Sequence, residues 1–470
     1  MCTLMWTVFH VDDILFLKKQ GTDIWNLYFA FIIAVIPISC HRKMMKERMA
    51  AMTLKINKNR IARDLETLKS FNSCPEQEGI TRMLFSDAEI AARDYVKSLM
   101  DEAGLIVSED AIGNIYGVLA GSEPALPPVW SGSHIDTVRN GGMYDGTVGV
   151  MGAIEACRSI RENALAHRRS IVVVVFASEE PTRFGIGCIG SRAMAGHLSL
   201  EDTRGLIDEQ GISLYDELDR LGYTELDYEK TVVKKTGDVF ASVELHIEQA
   251  PLLEQIQCPI GIVEAVCAPT YIQVILEGQQ EHAGSTPMHV RRDAMVAASK
   301  IVVELENLAL AHGNEHTVAT IGRLLAFPNS SNVIAGKVEF FIDIRDIDEK
   351  IKTDLTKKIC AYIDTVAILR DLKAHYSVTA DDVPHSCSAQ IIGAIEKSCG
   401  DRGIPAKRMV SGAYHDSLLV AEFAPMGMIF VPSRKGISHD PAEYTDMDDI
   451  VIGTEVLADT LLMLSNQEPA

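Results

Sequence analysis

The sequence predicts an α/β fold, a mostly parallel sheet into which an α+β sandwich is inserted. Three observations carry that expectation. Ser170-Ile-Val-Val-Val-Val-Phe-Ala-Ser178 is a continuous β-branched run, the pattern of a strand buried on both faces beneath helices. Strand-like segments alternate with helical patterns through most of the chain, an order that winds into a parallel sheet. Between Tyr271 and Thr379 the order becomes strand, helix, strand, strand, helix, strand, which closes as a compact unit of its own. The chain therefore divides into an extension at 1–52, a first part of the main domain at 53–268, the insertion at 269–380 and the second part of the main domain at 381–470.

Composition bounds the function. With 470 residues, 47% hydrophobic and 23% charged, the chain can bury a large core. A formal net charge of −21 excludes general affinity for nucleic acid, whose phosphates require a lysine and arginine surplus. Ten cysteines occur without a Cys-x-x-Cys pair, and a chain of this size needs no disulfide staples, so they read as reduced thiols in a cytoplasmic protein.

The extension differs from the rest. Ile24 to Ser39 is an apolar run of about 16 residues containing Asn26 and Pro37, short of the roughly 20 that span a bilayer. The basic cluster His41-Arg-Lys-Met-Met-Lys-Glu-Arg48 follows it, whereas a secretory signal carries its charge before the apolar run. The pattern favours a true start at Met49 or Met52, so membrane contact arises only if residues 24–39 are a real segment.

Next come two helices, over Ile56–Phe71 and Asp87–Ala103, each with apolar residues at helical spacing. Leu105 to Gly121 alternates around a turn as a hairpin does. Val129 to Ser133 is a strand that delivers His134-Ile-Asp136, followed by a glycine-rich loop with Asp145-Gly146 and a helix of small residues. Imidazole and carboxylate thus meet at a strand's C-terminal edge, where open α/β sheets bind ligands. Neutral imidazole suits Zn, Mn, Ni or Co, and a carboxylate can hold one ion on each oxygen, so His134 and Asp145 can begin a two-metal cluster. Asp136 reads as an orienter of the His134 ring.

The β-branched strand ends in Glu179-Glu180. Adjacent carboxylates there point different ways, so one can bind metal while the other faces substrate as a general base. In Val243-Glu-Leu-His-Ile-Glu248, Glu244, His246 and Glu248 share one face, and His246 is the next ligand candidate, with a core histidine as the alternative. In the insertion, Tyr271–Glu277 is a strand, Asp293–Leu310 a helix, Thr317–Leu325 and Lys337–Arg345 strands, and Glu349–Ala367 a helix. The main domain resumes with a helix at Ile391–Cys399, a strand at Met426–Val431 and a closing helix at Ile450–Leu464.

The runs GSHIDT, NGGMYDG, SEEPTRFG, GSRAMAG, ELHIEQ, EHAGSTPM, NVIAGKVEF, DIRD, SGAYHDS, MIFVPS and GISHDPAEY, in this order over residues 53 to 467, resemble the hydantoinase/carbamoylase branch of the di-metal aminoacylase and carboxypeptidase superfamily. The resemblance implies a di-metal hydrolase domain with a lid and dimerisation domain at 269–380, hence a homodimer. It places His134 and His246 on one divalent ion, Glu180 and His439 on the other, and Asp145 between them. It makes Glu179 the general base that takes the proton of the attacking water and returns it to the departing nitrogen. It assigns His282 to the oxyanion, across the dimer, and Gln249, Asn332 and Arg345 to the substrate, with Gly412, Ala413 and Tyr414 lining its other end and His415-Asp416 behind. Arg345 suits a carboxylate because its planar fork pairs both oxygens; alone, it also fits a surface ion-pair ladder with Asp343 and Asp346.

The implied substrate is a small ureido acid. An N-carbamoyl-L-amino acid is the first choice; the alternative is ureidoglycolate or allantoate, and an aminoacylase or peptidase ranks below both because His246 stands where those relatives tend to carry a carboxylate. Tyr414 and SEEPTRFGI lean towards ureidoglycolate amidohydrolases, whereas EHAGSTPM, GSRAMAG and GISH lean towards carbamoyl amino-acid and allantoate hydrolases. Ala250 after ELHIEQ and Ala335 in NVIAG depart from the family's usual glycine and proline.

Overall fold

In the computed structural model, which describes residues 54–468, local signals set the first elements. The apolar run at 24–39 and the starts at Met49 and Met52 lie outside the described residues. Helix α1 (Lys58–Lys69) is capped by Asn57, whose side chain accepts the Arg60 N–H, and it buries Ile61, Leu65 and Leu68, a spacing that keeps one face inward. Helix α2 (Asp87–Glu102) starts at Ser86, which accepts the Glu89 N–H. Strands β1 (Ile106–Glu109) and β2 (Ile115–Leu119) pair antiparallel as a hairpin.

Strand β3 (Val129–His134), helix α3 (Thr147–Glu162) and strand β4 (Ile171–Phe176) form a parallel β-α-β unit. All six residues of β4 are buried, because the sheet is covered on both faces. Helix α4 (Ile189–Met194) leads into short helical segments whose Leu198, Leu214, Leu218 and Tyr228 share a small core with Leu84, Phe85 and Ile112. Strands β5 (Ala241–Ile247) and β6 (Ile260–Val266) follow.

The chain then leaves this sheet. Strand β7 (Ala268–Glu277), a short β8 (Glu281–His282), helix α5 (Ala294–His312), β9 (Val318–Phe327), a short β10 (Val333–Ile334), β11 (Lys337–Asp346), helix α6 (Glu349–Leu369) and β12 (Lys373–Asp381) make a separate body. Its four-stranded sheet runs β12-β7-β11-β9, with β10 and β8 as a two-stranded ribbon beside it. Val338, Phe340, Ile342 and Ile344 alternate along β11 and meet Ile301, Leu305, Ile359 and Ile363 of the two helices in one core, the period-two face of a strand against the period-3.6 face of a helix.

Strand β13 (His385–Ser386), helix α7 (Ala389–Arg402), β14 (Ala406–Ser411), helix α8 (Asp416–Val420), β15 (Met426–Val431) and helix α9 (Met447–Ser465) return to the first sheet. It has nine strands, ordered β1-β2-β4-β3-β5-β15-β6-β13 with β14 beside β6. The middle, β4-β3-β5-β15, is parallel throughout, and antiparallel pairs close its flanks. The α/β class and the largely parallel centre agree with the sequence expectation. Two strands carry no sequence mark of their own. β14 exposes Ala406, Lys407 and Arg408, which erases alternation, and β6 runs into β7 with only Cys267 between them. Among the described residues, no helix is long and apolar enough to cross a membrane, and eight cysteines are free thiols.

Candidate active site

Four adjacent parallel strands deliver the candidate residues to one edge. β3 ends on His134, β5 carries His246 one residue before its end, and β4 and β15 run into the loops that hold Glu179-Glu180 and His439. Asp145 sits on the turn that starts α3. The chain bends sharply here: Ser178, Gln249 and His439 all adopt positive φ near +54 to +58°, a region that non-glycine residues occupy at a cost and that clusters at functional sites. Gly146 has φ +68°, and a Cβ there would lie 2.4 Å from His134 Nε2. Only glycine lets Asp145 approach the imidazole.

Two groups of potential ligands share Asp145. His134 Nε2 and His246 Nε2 lie 3.6 and 3.2 Å from Asp145 Oδ1. His439 Nε2 lies 3.2 Å from Asp145 Oδ2 and 3.4 Å from Glu180 Oε1. Within each group the ligand atoms fall within 4.8 Å of one another, close enough to converge on an ion. Both buried imidazoles are held ready. His134 Nδ1 lies 3.0 Å from the Asp136 carbonyl and His246 Nδ1 2.9 Å from the Ile247 carbonyl. A carbonyl only accepts, so each Nδ1 carries a proton and each Nε2 is the atom turned to Asp145. Burial acts to lower both imidazoles, but the neighbouring carboxylates outweigh it and raise them, so each Nε2 offers its lone pair once its own proton leaves. This donor set of three imidazoles and two carboxylates, bridged through both oxygens of one aspartate, fits a pair of divalent cations.

Asp136 does more than the sequence suggests. Its backbone carbonyl orients His134, while its carboxylate accepts the N–H groups of Glu179 and Glu180 at 3.2 and 3.0 Å. It thereby fixes the turn carrying the paired acids. Glu179 Oε2 is 3.9 Å from His134 Nε2, and Cys188 Sγ donates to its Oε1 at 3.8 Å. Burial pushes the Glu179 carboxyl well above the usual range; His134 opposes this, and Glu180, Asp416 and Asp145 add to it. Burial likewise lifts Glu180 to about 7. Burial also acts on Asp145, but hydrogen bonds from His134, His246 and His439 outweigh it and hold that carboxyl well below its ordinary value. A firm anion is the right bridge between cations.

The outer candidates divide. Gln249 Nε2 donates to Asp145 Oδ2 at 2.8 Å, so this side chain stands against the ligand set. Arg345 grips Asp343 with Nε and Nη2, reaches the Tyr271 hydroxyl at 3.1 Å and donates from Nη1 to the Gly412 carbonyl at 3.3 Å. It thus joins β11 to the Gly412-Ala413-Tyr414 loop, whereas Asp346 turns away to Asn314. Tyr414 donates to Asp382 and accepts from Arg192. His415 stacks edge-on against His246 at 4.6 Å and pairs with Ser411. His282 ends β8 and Asn332 immediately precedes β10, and their side-chain hydrogen bonds stay local: His282 Nδ1 accepts from Gly284 and Ser285, Asn332 Oδ1 from Ser330.

Sequence reasoning missed Glu443, whose Oε1 accepts the N–H groups of Tyr144 and Asp145 at 2.8 and 3.1 Å, and Ser438, whose hydroxyl lies 2.9 Å from Asp145 Oδ2 and 2.8 Å from Glu443 Oε2 and can donate its one proton to either. Their one signal was their place in GISHDPAEY. Glu244, buried and accepting from Ser133 and Ser417, was visible only as one of three polar residues on β5.

Three comparisons bear on this geometry. A family model described as peptidase family M20/M25/M40 matches residues 130–463. The ureidoglycolate hydrolase of Oryza sativa subsp. japonica is 40% identical over 415 residues, covering 88% of this chain and 86% of that one. The N-carbamoyl-L-amino-acid amidohydrolase of Pseudomonas sp. (strain NS671) is 39% identical over 411 residues, covering 87% and 99%. Among solved structures, an amidase of the hydantoinase/carbamoylase family from Burkholderia multivorans superimposes with a TM-score of 0.79 at 31% identity, covering 88% of this chain and 100% of that one.

Proposed function

The chain belongs to peptidase family M20/M25/M40 and to its hydantoinase/carbamoylase amidohydrolases, and from that premise we propose that it hydrolyses the ureido group of a 2-ureido carboxylate, an N-carbamoyl-L-amino acid first among them. Membership makes it a hydrolase of carbon–nitrogen bonds in linear amides. The observation that carries the finer reading is Asp145 standing between two ligand groups on different oxygens, with Glu179 beside them.

His134, His246, Asp145, Glu180 and His439 would hold two divalent ions, drawn from Mn, Zn, Ni or Co. When bound, such ions would supply positive charge to polarise the ureido carbonyl and offset the charge developing on its oxygen. Glu179 takes the proton of the attacking water and passes it to the departing nitrogen, a role suited by the burial that raises its proton affinity. Gln249 and Arg345 orient the substrate, and the Arg345 fork exchanges Asp343 for the substrate carboxylate. His282 and Asn332 act from a second subunit, in a homodimer built through the inserted lid. The exposed Val318, Leu325 and Phe327 of edge strand β9 favour that assembly, since an uncovered apolar edge invites pairing. The free thiols favour a cytoplasmic location.

One observation favours ureidoglycolate as a second reading. The Tyr414 hydroxyl, bonded to Arg192 and Asp382, makes one wall polar, which suits a hydroxyl on the α-carbon better than an apolar side chain. Ammonia release from N-carbamoyl-L-amino acids, ureidoglycolate, allantoate and N-carbamoyl-β-alanine, with Mn added, tests both. Turnover of a 2-ureido acid without the β-alanine derivative is the expected result, and no turnover of any ureide overturns the reading.

A further inference from the structure

Where the inserted sheet joins the nine-stranded one, Tyr414 closes a ring with two side chains, Arg192 and Asp382, that the proposed reaction does not use. Arg192 of α4 donates from Nη1 to Asp382 Oδ1 at 3.1 Å and from Nη2 to Asp382 Oδ2 at 3.0 Å. Its Nη2 also donates to the Tyr414 hydroxyl at 2.8 Å, and that hydroxyl donates to Asp382 Oδ2 at 3.1 Å. Each member thus holds the other two. A bidentate arginine–carboxylate pair fixes angle as well as distance, and with only 14 and 15% of the two side chains exposed, solvent screens it little.

Asp382 is also the joint between the two bodies. It follows β12, where the chain returns from the insertion, and its N–H donates at 3.2 Å to the carbonyl of Pro269, on the outgoing strand. Lys352 of α6, 1% exposed, donates to the Asp382 carbonyl and to Asp381 Oδ1 at 2.9 Å. The backbone of Asp382 is therefore held by the inserted body and its carboxylate by the main one.

We propose that Arg192 and Asp382 are positioning residues that set the direction of the Tyr414 hydroxyl and tie it to the hinge of the lid. The proposal rests on the reading of Tyr414 as a substrate-facing residue. A phenol has one proton and two lone pairs. Here the proton goes to Asp382 and one lone pair to Arg192, which leaves a single acceptor position. Tyr414 then meets the substrate only as an acceptor, for an O–H or N–H on the α-carbon or its nitrogen. Without the ring the phenol can rotate and donate instead, and the selection is lost.

The test uses full-length Asp382→Asn, Arg192→Lys, Tyr414→Phe and the Asp382→Asn/Tyr414→Phe double variant, with metal content and melting temperature measured on each. The expected result is a KM for the preferred 2-ureido acid raised about tenfold in each single variant, the size of one lost hydrogen bond, with kcat changed far less. The double variant should be no worse than Tyr414→Phe alone, because residues acting through one another are not additive. Penalties that multiply in the double variant, or an unchanged KM in Asp382→Asn and Arg192→Lys, overturn the proposal. Hydrogen exchange gives a second readout that needs no turnover: both single variants at the arginine and the aspartate should exchange faster at 411–415 than the native chain. If the native chain hydrolyses no ureide, the substrate reading falls by itself, and unchanged exchange at 411–415 still overturns the positioning role of Arg192 and Asp382.

Discussion

On the nine-stranded sheet each buried candidate ligand is held by a further group, whereas at the β8–β10 ribbon the side chains of His282 and Asn332 hold only to their own turns. His134 and His246 have carbonyls behind them, Asp145 has Ser438 and the Glu443-clamped backbone, and the Glu179-Glu180 turn has Asp136. The ribbon offers nothing comparable: His282 is exposed and takes the N–H groups of Gly284 and Ser285. One region is set in advance and keeps its geometry in a single chain. On the proposed reading, the other carries its chemistry on a body that closure or another subunit brings to the substrate. Preorganisation on rigid strands and delivery by a separate body are different ways of using the same binding energy.

The largest expected effect lies in the preset region. Glu179→Gln removes the proton acceptor but leaves all five proposed ligands, so turnover should fall by about a thousandfold or more while bound metal, read by atomic spectroscopy, stays near native. A variant retaining activity would remove Glu179 from the chemistry. The delivered region should show a smaller loss that depends on its partner. His282→Ala alone should lose about a hundredfold, and mixing it with Glu179→Gln should restore activity, because a mixed dimer assembles one site with both intact groups. If the mixture is as inactive as its parts, His282 acts within its own chain or not at all.

The same contrast explains what the sequence made legible. A β-branched run, small residues around Asp145-Gly146 and carboxylates at a strand end are local signals, and they lead directly to His134, Asp145 and the Glu179-Glu180 pair. His246 stood out as one polar residue among alternating apolar ones, with a core histidine as the lesser alternative. His439, His282, Asn332 and the choice of Glu179 over Glu180 came only from resemblance, because their function depends on which loops meet in space. Glu443 escaped for a related reason: a carboxylate that clamps the backbone of Tyr144 and Asp145 across sequence separations of 299 and 298 has no local signature. Asp136 was read as a partner of the imidazole alone because the sequence shows it beside His134, whereas folding also lays it under the Glu179 turn.

Arg345 spans the two regions and should give an intermediate effect. It stands on β11 of the inserted body yet donates to Gly412 on the main one. Arg345→Ala should raise KM for carboxylate-bearing ureides about tenfold to a hundredfold, the weight of a charge-assisted pair, with a smaller change in kcat. Equal KM values for the variant and the native chain would leave Arg345 as no more than the ion-pair partner of Asp343.

The smallest effect separates two kinds of histidine within the preset region itself. His439 differs from His134 and His246 in that its side chain is 52% exposed and no carbonyl holds its ring. The hydrogen bond to Asp145 comes first, opposed by partial burial, with the charges of Glu180, Asp145 and Glu443 behind it, and its imidazole is raised to about 9 in the metal-free protein. A raised value means that the ring carries a proton throughout the neutral range, and Nε2 cannot bind an ion until that proton leaves. Loading the chelator-treated protein with Mn at neutral pH should therefore release a proton that His439→Ala does not. Calorimetric titration in two buffers of different ionisation enthalpy reads this directly, and affinity should strengthen as pH rises and level off near 9. The same buffer dependence of the heat in the native protein and in His439→Ala would mean that the His439 ring is already neutral before the ion arrives.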